Sequence, residues 1–165
     1  MSKSIKDLEK DIKSIEELKP LHEVGNYVRS VAIGLAPRGI TGQLQNSIGY
    51  TVERQSDHAT VHVGTNLEYA MYVEYGTGPK GAANHVGVSP DVAVTYRMTP
   101  WWVHENQLDP QTIEQYHWYH IDTKQGKFYQ VSGQAAQPFL YPAAKDHESE
   151  IQKIIENGLI GASGR

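Results

Sequence analysis

Residues Ser47–Gly64, with the sequence SIGYTVERQSDHATVHVG, alternate apolar and polar side chains on either side of a short polar stretch, QSDH. The apolar positions are 48, 50 and 52 in the first half and 59, 61 and 63 in the second. Because successive side chains of a β-strand point to opposite faces, each set would share one face of its strand. The stretch therefore predicts an antiparallel β-hairpin.

Helical periodicity precedes and follows this hairpin. From Ser4, a candidate N-cap, apolar residues fall at 5, 8, 12, 15 and 18, and a second stripe runs through 21, 24, 28, 31 and 35. Pro20 is expected to end the first helix or to open a second one, since proline lacks the N–H that an interior turn requires. A last helix is predicted from apolar residues at 144, 151, 154 and 155, ended by Gly158.

The order of these elements predicts an α+β fold in which N-terminal helices and a C-terminal helix pack on an antiparallel β-sheet. We expect a single domain over residues 1–165, with a helical N-terminal part at 1–36 and an insertion at 79–134. Within the insertion, residues 79–93 are rich in Gly, Ala, Asn and Pro and are expected to form a mobile loop. Strands are predicted at 92–98, 116–122 and 126–133, the last two joined by TKQ.

Composition limits the classes of function. The 165 residues contain no cysteine, 39% hydrophobic residues and a formal net charge of −4. A disulfide framework, a thiolate metal site and a cysteine nucleophile are excluded, and a broadly basic nucleic-acid-binding surface is not expected. The chain has neither the apolar run of a membrane span nor the apolar core of a secretory signal, so we expect it in the cytoplasm after synthesis.

Gly76, Gly78 and Gly81 have the spacing of a dinucleotide-binding G-x-G-x-x-G loop. Such a loop follows a strand and opens a helix, whose N–H groups then face the pyrophosphate. Here the preceding segment favours a short helix, capped by Asn66 and stopped by Gly76, and Pro79 lies inside the motif. The context therefore favours a helix stop followed by a loop over a nucleotide site.

Histidine pairs are the other candidate site. His58 and His62 fall in a predicted strand, where residues four apart lie about 13 Å from each other, too far to share an ion. His117 and His120 would point to opposite faces of a strand. No Walker loop, G-x-S-x-G motif or paired carboxylates are visible. We expect no catalytic residues, no cofactor, no metal and no enzymatic activity.

Three blocks, in the same order along the chain, resemble one family. They are LAPRGITGQLQNSIGYTV (Leu35–Val52), VHVGTNLEYAMYVEYGTG (Val61–Gly78) and AAQPFLYPAAKD (Ala135–Asp146). The set resembles the tailed-phage neck and tail-completion proteins, the gene-ten-product-like family of Hong Kong type siphophages. The chain departs from the simplest family pattern at residues 38–40, before the Thr-Gly pair, and in the long segment at 79–134.

The resemblance implies a structural virion protein of a tailed bacteriophage or prophage, a ring-forming neck or tail-completion subunit at the head-to-tail junction. Implied partners are further copies of the chain in a ring, head-closure or stopper proteins, and tail terminator or tail-tube proteins. The ring would enclose DNA without sequence-specific binding, and no membrane is involved. The implied location is the virion neck or tail, after synthesis in the host cytoplasm. Alternatives are a tail-tube terminator or other minor tail protein, a small cytoplasmic enzyme, and an interaction module.

The residues that carry the blocks are candidates for structural and assembly roles. Thr41 and Gly42 would turn the chain from helix to strand, Ala70 would permit close packing of a short helix, and Phe139 would anchor an extended lead into the last helix. The full candidate set is Thr41, Gly42, Leu44, Ser47, Ile48, Tyr69, Ala70, Val73, Glu74, Gly76, Thr77, Pro138, Phe139 and Pro142.

Overall fold

The computed structural model describes residues 5–39 and 41–163, and their side chains from 17 to 39 and from 41 to 160. The helices are α1 (Ile5–Leu35), α2 (Gln43–Ser47), α3 (Ala70–Tyr75), α4 (Gly78–Ala83), α5 (Pro110–Tyr116), α6 (Leu140–Lys145) and α7 (Glu148–Ser163). The strands are β1 (Gly49–Arg54), β2 (Ala59–Gly64), β3 (Trp101–His104), β4 (His120–Thr123) and β5 (Gly126–Val131). A 3₁₀ turn follows β3 at Glu105–Gln107. The mixture of helices with antiparallel strands confirms the predicted α+β class.

The described chain divides into two compact units. The first contains the residues up to Ala70 and those from Phe139 onward, and the second is Met71–Pro138. The predicted insertion, 79–134, lies inside the second unit. The single-domain organisation expected from the sequence stays a prediction.

The predicted hairpin is present in the first unit. β1 and β2 pair in antiparallel register, with Tyr50 opposite Val63 and Val52 opposite Val61. Both strands contact α1, whose buried residues Val24, Val28 and Ala32 are spaced by about one helical turn, and the buried Ala36 follows directly after the helix. The alternation in the sequence thus places one face of the hairpin on the long helix.

Pro20 lies inside α1, so the prediction that it ends one helix or opens another is wrong. The proline is buried, and a side chain added at Gly158 would overlap its ring. The proline ring can pack this closely on α7 because residue 158 has no Cβ. Ser4, the candidate cap, lies outside the described residues, as do the side chains of the first stripe up to Ile15.

The C-terminal region also differs from its prediction. Two helices, α6 and α7, replace the single one, with Ala144 in the first and the isoleucines in the second. Gly158 does not end α7, which continues to Ser163. Tertiary packing of Gly158 on Pro20 explains why a residue of low helix propensity is retained in the helix.

The helices and strands of the second unit differ most from those predicted from the sequence. Residues 79–83 were predicted to form a loop but belong to α4. The predicted strand at 92–98 is absent, because residues 84–100 are irregular and form no β-ladder. The predicted strand at 116–122 is only partly present: Tyr116 is the last residue of α5, and β4 begins at His120. Strand β3 was not predicted from the sequence. The strand over 126–131 and its tight connection to β4 are confirmed. Strand formation requires a partner ladder, which local propensity does not supply.

Candidate assembly surfaces

The glycines of the EYGTGPKG stretch lie at a backbone crossing in the second unit. Thr77 donates its N–H to the Gln134 carbonyl at 2.8 Å, and Gln134 returns its own N–H to the Thr77 carbonyl at 3.1 Å. Gly76 ends α3 with φ 71°, and a Cβ there would lie 2.6 Å from the Ala136 nitrogen. A Cβ on Gly133, with φ 77°, would overlap the Thr77 carbonyl. These glycines permit two backbones to approach closely.

The same stretch is not built as a nucleotide loop. A helix, α4, does begin at Gly78, contrary to the expectation of a plain loop, but it is only six residues long. Gly81 is buried in this helix against Gly76 and the Tyr96 ring, so its backbone is packed away from any ligand. Asn66 is not the cap of the preceding helix, because α3 starts four residues later at Ala70.

The remaining candidate residues of this block differ in exposure. Ala70 and Glu74 are buried, Val73 is half-buried with its carbonyl accepting from the Gln137 N–H at 2.8 Å, and Tyr69 is exposed. Gln134 was not a candidate, yet its side-chain amide also donates to the Tyr72 carbonyl at 2.7 Å. The SGQAAQPF stretch carried a signal for it, since a polar residue next to a glycine often satisfies backbone groups in a turn.

The Thr-Gly block forms the turn between α1 and α2. Gly42 has φ 66° and precedes α2, and the exposed Thr41 hydroxyl accepts weakly from the Gln43 N–H at 3.3 Å. Leu44 and Ile48 are buried core residues, as expected. The Ser47 hydroxyl donates to the Leu44 carbonyl at 2.7 Å and lies 2.6 Å from the Thr65 hydroxyl.

Gln45, in α2, is a capping residue that the sequence analysis did not identify. Its side-chain amide donates to the carbonyls of Ile33 at 3.1 Å and Ala36 at 2.8 Å, at the C-terminal end of α1. The last carbonyls of a helix have no partner within it, so an amide donor from the next helix caps them. In the sequence, the only indication of this role is that the C-terminal end of α1 is followed by a turn and needs donors for its last carbonyls.

The third block anchors the start of α6. Phe139 has no exposed surface and occupies the N-cap position, as expected of a core anchor. Pro138 is half-buried, and Pro142 lies inside α6, so the extended lead predicted before the last helix ends at Phe139 and does not include Pro142. Proline fits the first turn of a helix, where its missing N–H would have no partner.

The three-stranded sheet of the second unit, in the order β3-β5-β4, has two unlike faces. On the inner face, Tyr129 and Val131 are buried, and Trp101 packs between Gly78 and the guanidinium of Arg97, 5.4 Å from the ring centroid. Residues of the opposite parity form the outer face. The outer face consists of Trp102, His104, Tyr119, Ile121, Thr123, Gly126, Phe128 and Gln130.

The strand residues of this outer face are largely aromatic and include no Lys, Arg, Asp or Glu, but the Glu105 carboxylate lies at one end of the face, where a Cβ on Gly126 would be 2.6 Å from its Oε1. Trp102 is 43% exposed, Tyr119 67% and Ile121 39%, and the rings of Trp102 and Tyr119 are 6.0 Å apart. His104 packs edge-on against Phe128 at 4.8 Å. Its Nε2 hydrogen bond to the Gln125 carbonyl at 2.7 Å, followed by a smaller contribution from Asn106, raises the pKa of the imidazole above 6.5.

An apolar groove of about 400 Å³ lies in the first unit, beside β2. Its lining combines side chains of α1, β2, α6 and α7: Val24, Val28, Val61, His62, Val63, Leu140, Ala144 and Ile151. No β1 residue lines it, so the groove adjoins the edge of β2 that faces away from β1.

The histidines do not form a metal centre in the part of the chain that the structure describes. His58 pairs with the neighbouring Asp57 at 2.7 Å, and His62 lies 3.6 Å from Glu53. His117 ends α5 in a left-handed conformation, and His120 begins β4. Over the described residues, no three His, Cys, Asp or Glu side chains converge as metal ligands would. None of the described helices combines the length and hydropathy needed to cross a membrane.

Comparison with known proteins gives one finding. Residues 1–76 match the family HK97-gp10_like, described as "Bacteriophage HK97-gp10, putative tail-component". Neither the curated proteins nor the solved structures contain a match to the chain. The family match covers the first two of the three sequence blocks nearly to their end and confirms the resemblance. Over residues 1–76, fewer than half of its 165 residues, the chain is similar to a family described as phage tail components.

Proposed function

We propose, from the match of residues 1–76 to the HK97-gp10-like family of tail components, that this protein is a ring-forming neck or tail-completion subunit at the head-to-tail junction. Its partners are further copies of itself, a head-closure or stopper protein on one side and a tail terminator or tail-tube protein on the other. It serves as a scaffold around the DNA conduit and carries out no catalysis.

The observation that carries this proposal is the outer face of the three-stranded sheet. Trp102, Tyr119 and Ile121 expose large apolar side chains side by side, with no charged residue among them. Single exposed apolar residues are ordinary, but a contiguous aromatic patch marks a surface that is covered in the working assembly. Aromatic residues are enriched, and charged residues depleted, at the centres of protein interfaces.

The sheet also leaves both of its edges open, because β3 and β4 each pair only with β5 among the described residues. Natural proteins cover such edges or use them for pairing. A subunit with different surfaces on its two sides can associate head to tail, and that geometry closes into a ring when the rotation permits. The net charge of −4 is compatible with a channel wall that does not hold DNA tightly.

The test replaces Trp102 and Ile121 together by serine and introduces the variant into a phage lacking the wild-type gene. We expect folded protein, full heads and free tails of normal length, with joined virions reduced at least tenfold. Met98→Ser is the matched control, since Met98 is 65% exposed in the same unit but lies outside the sheet. Joined virions at normal yield from the double variant would show that the outer face is not an assembly surface.

Deleting the gene distinguishes the neck role from its alternative. Loss of a neck subunit leaves full heads and complete, unattached tails. Tails of uncontrolled length would instead support a tail-tube terminator, and a normal yield of infectious particles would overturn the structural role altogether. Electron microscopy of lysates separates these three outcomes.

A further inference from the structure

Among the described residues, β2 pairs with β1 along one edge, and its other edge has no strand partner. The hairpin closes with a hydrogen bond from the Gln55 N–H to the His58 carbonyl at 2.8 Å. Because bonded and non-bonded pairs alternate along an antiparallel ladder, β2 uses its residues 60, 62 and 64 toward β1. Ala59, Val61 and Val63 therefore direct their N–H and C=O groups away from the hairpin. Among the described residues no further strand pairs with them.

The second observation is that the apolar groove lies along this same edge. Val61 and Val63, whose N–H and C=O groups point away from β1, also line the groove, together with Val24 and Val28 of α1. An unpaired strand edge beside an apolar groove is the arrangement by which domains bind an extended segment as an added strand. The backbone then supplies affinity, and alternate side chains enter the groove.

The third observation identifies a segment suited to that edge. Residues 92–95, Val-Ala-Val-Thr, have the alternation and β-branched composition of a strand. They nevertheless have no strand partner among the described residues, and the Val92 N–H instead donates to the nearby Ser89 carbonyl at 3.4 Å. Val92 is 41% exposed, and Val86, earlier in the segment, is 85% exposed. Tyr96 fixes the base of the segment, because its hydroxyl donates to the Tyr75 carbonyl at 2.7 Å.

We propose that residues 92–95 of one subunit add as a strand to the β2 edge of the next subunit in the ring, with Val92 and Val94 entering the groove beside Val61 and Val63. The proposal rests on the ring-forming function above and names the contact by which each copy holds its neighbour. The sequence-predicted strand at 92–98 is then completed in the assembly. The segment from Asn84 to Asp91 serves as the arm that carries it across.

A second copy is favoured as the occupant because every copy carries both parts of the contact. Each subunit carries both the unpaired β2 edge and the segment 92–95, so head-to-tail exchange completes both of them in every copy of a closed ring. The groove's lining is almost wholly aliphatic, which matches valine side chains two positions apart. The same segment folding onto its own chain, and a strand from another virion protein, are outcomes of the test.

The test uses the absence of cysteine in the natural chain. Single variants Val61→Cys and Val63→Cys supply the acceptor edge, and Val92→Cys and Val94→Cys supply the donor. Acceptor and donor chains are mixed in all four combinations, which covers neighbouring registers, and oxidised. A disulfide needs Cα atoms within roughly 7 Å, so only a seated strand forms the bond efficiently. Val86→Cys is the matched donor control, since it lies on the same arm outside the proposed strand.

We expect a covalent heterodimer from at least one donor–acceptor pair at about tenfold the yield of the Val86→Cys control. No heterodimer from any pair above that control would overturn the inference, as would a disulfide formed only within one chain when both cysteines are in the same subunit. Capture of Val61→Cys by another virion protein in a lysate, without self-pairing, would overturn it as well.

A second measurement follows self-association directly. Val92→Asp combined with Val94→Asp should weaken association by about tenfold or more in sedimentation, because a carboxylate cannot enter an apolar groove unpaired. Val86→Asp, with its charge on the same arm, should leave association unchanged. If association is unaffected by the double variant while Trp102→Ser with Ile121→Ser still abolishes head-to-tail joining, the strand exchange fails and the proposed function stands.

Discussion

Replacing Phe139 by alanine tests whether this residue anchors the start of α6. The ring has no exposed surface, so its removal leaves a cavity in the first unit. Phe→Ala substitutions at such sites cost about 3 to 5 kcal/mol in the free energy of unfolding. For a chain of this size, each kcal/mol lowers Tm by about 2 to 4 °C, so the expected fall is roughly 6 to 20 °C.

The assay is thermal unfolding followed by circular dichroism, at one fixed protein concentration, because self-association would raise Tm by mass action. Ile160→Ala is the control, since Ile160 is a large apolar residue of the same unit that is 70% exposed. We expect its change to stay within about 0.5 kcal/mol. If Phe139→Ala fails to fold, Phe139→Leu gives a smaller loss in the same direction. An unchanged Tm for the alanine variant would refute the role of Phe139 as an anchor.

Three further predictions concern single residues. Gly133→Ala should lower the free energy of unfolding by more than about 1 kcal/mol, because φ is 77° and the added Cβ overlaps the Thr77 carbonyl. Gly34→Ala should instead raise the free energy of unfolding by up to about 1 kcal/mol, because an added Cβ there has no atom within 4 Å. Urea denaturation measures both changes. Gln45→Ala should cost about 1 to 3 kcal/mol in the same assay, since two carbonyls at the end of α1 lose their donor, and an unaltered urea midpoint would contradict this cap. The pKa of His104, measured by NMR, should lie above 6.5 because the ring donates a hydrogen bond to the Gln125 carbonyl. The small contribution of this bond to stability is complete in acid and is lost as the pH rises through the raised pKa. A measured pKa at or below 6.5 would disprove the bond in solution.

The sequence by itself determined the features that depend on neighbouring residues in the chain. Two-residue alternation in the stretch from Ser47 to Gly64 fixed the hairpin and its faces, since a shift by one residue would expose the apolar side. Gly76 was identified as a helix stop, and its positive φ confirms the reason. Phe139, Leu44 and Ile48 were identified as core residues, and all three are buried.

Only the tertiary structure decided features whose cause lies far along the chain. Pro20 remains within a helix because Gly158, 138 positions later, leaves room for its ring. Gly133 is needed because the Thr77 carbonyl passes against it, and neither residue's own neighbours indicate this. Residues 92–98 have strand propensity but no strand, because a ladder requires a second strand and none of the described residues supplies one beside them. Local patterns set what a segment can form, and distant partners determine whether it does.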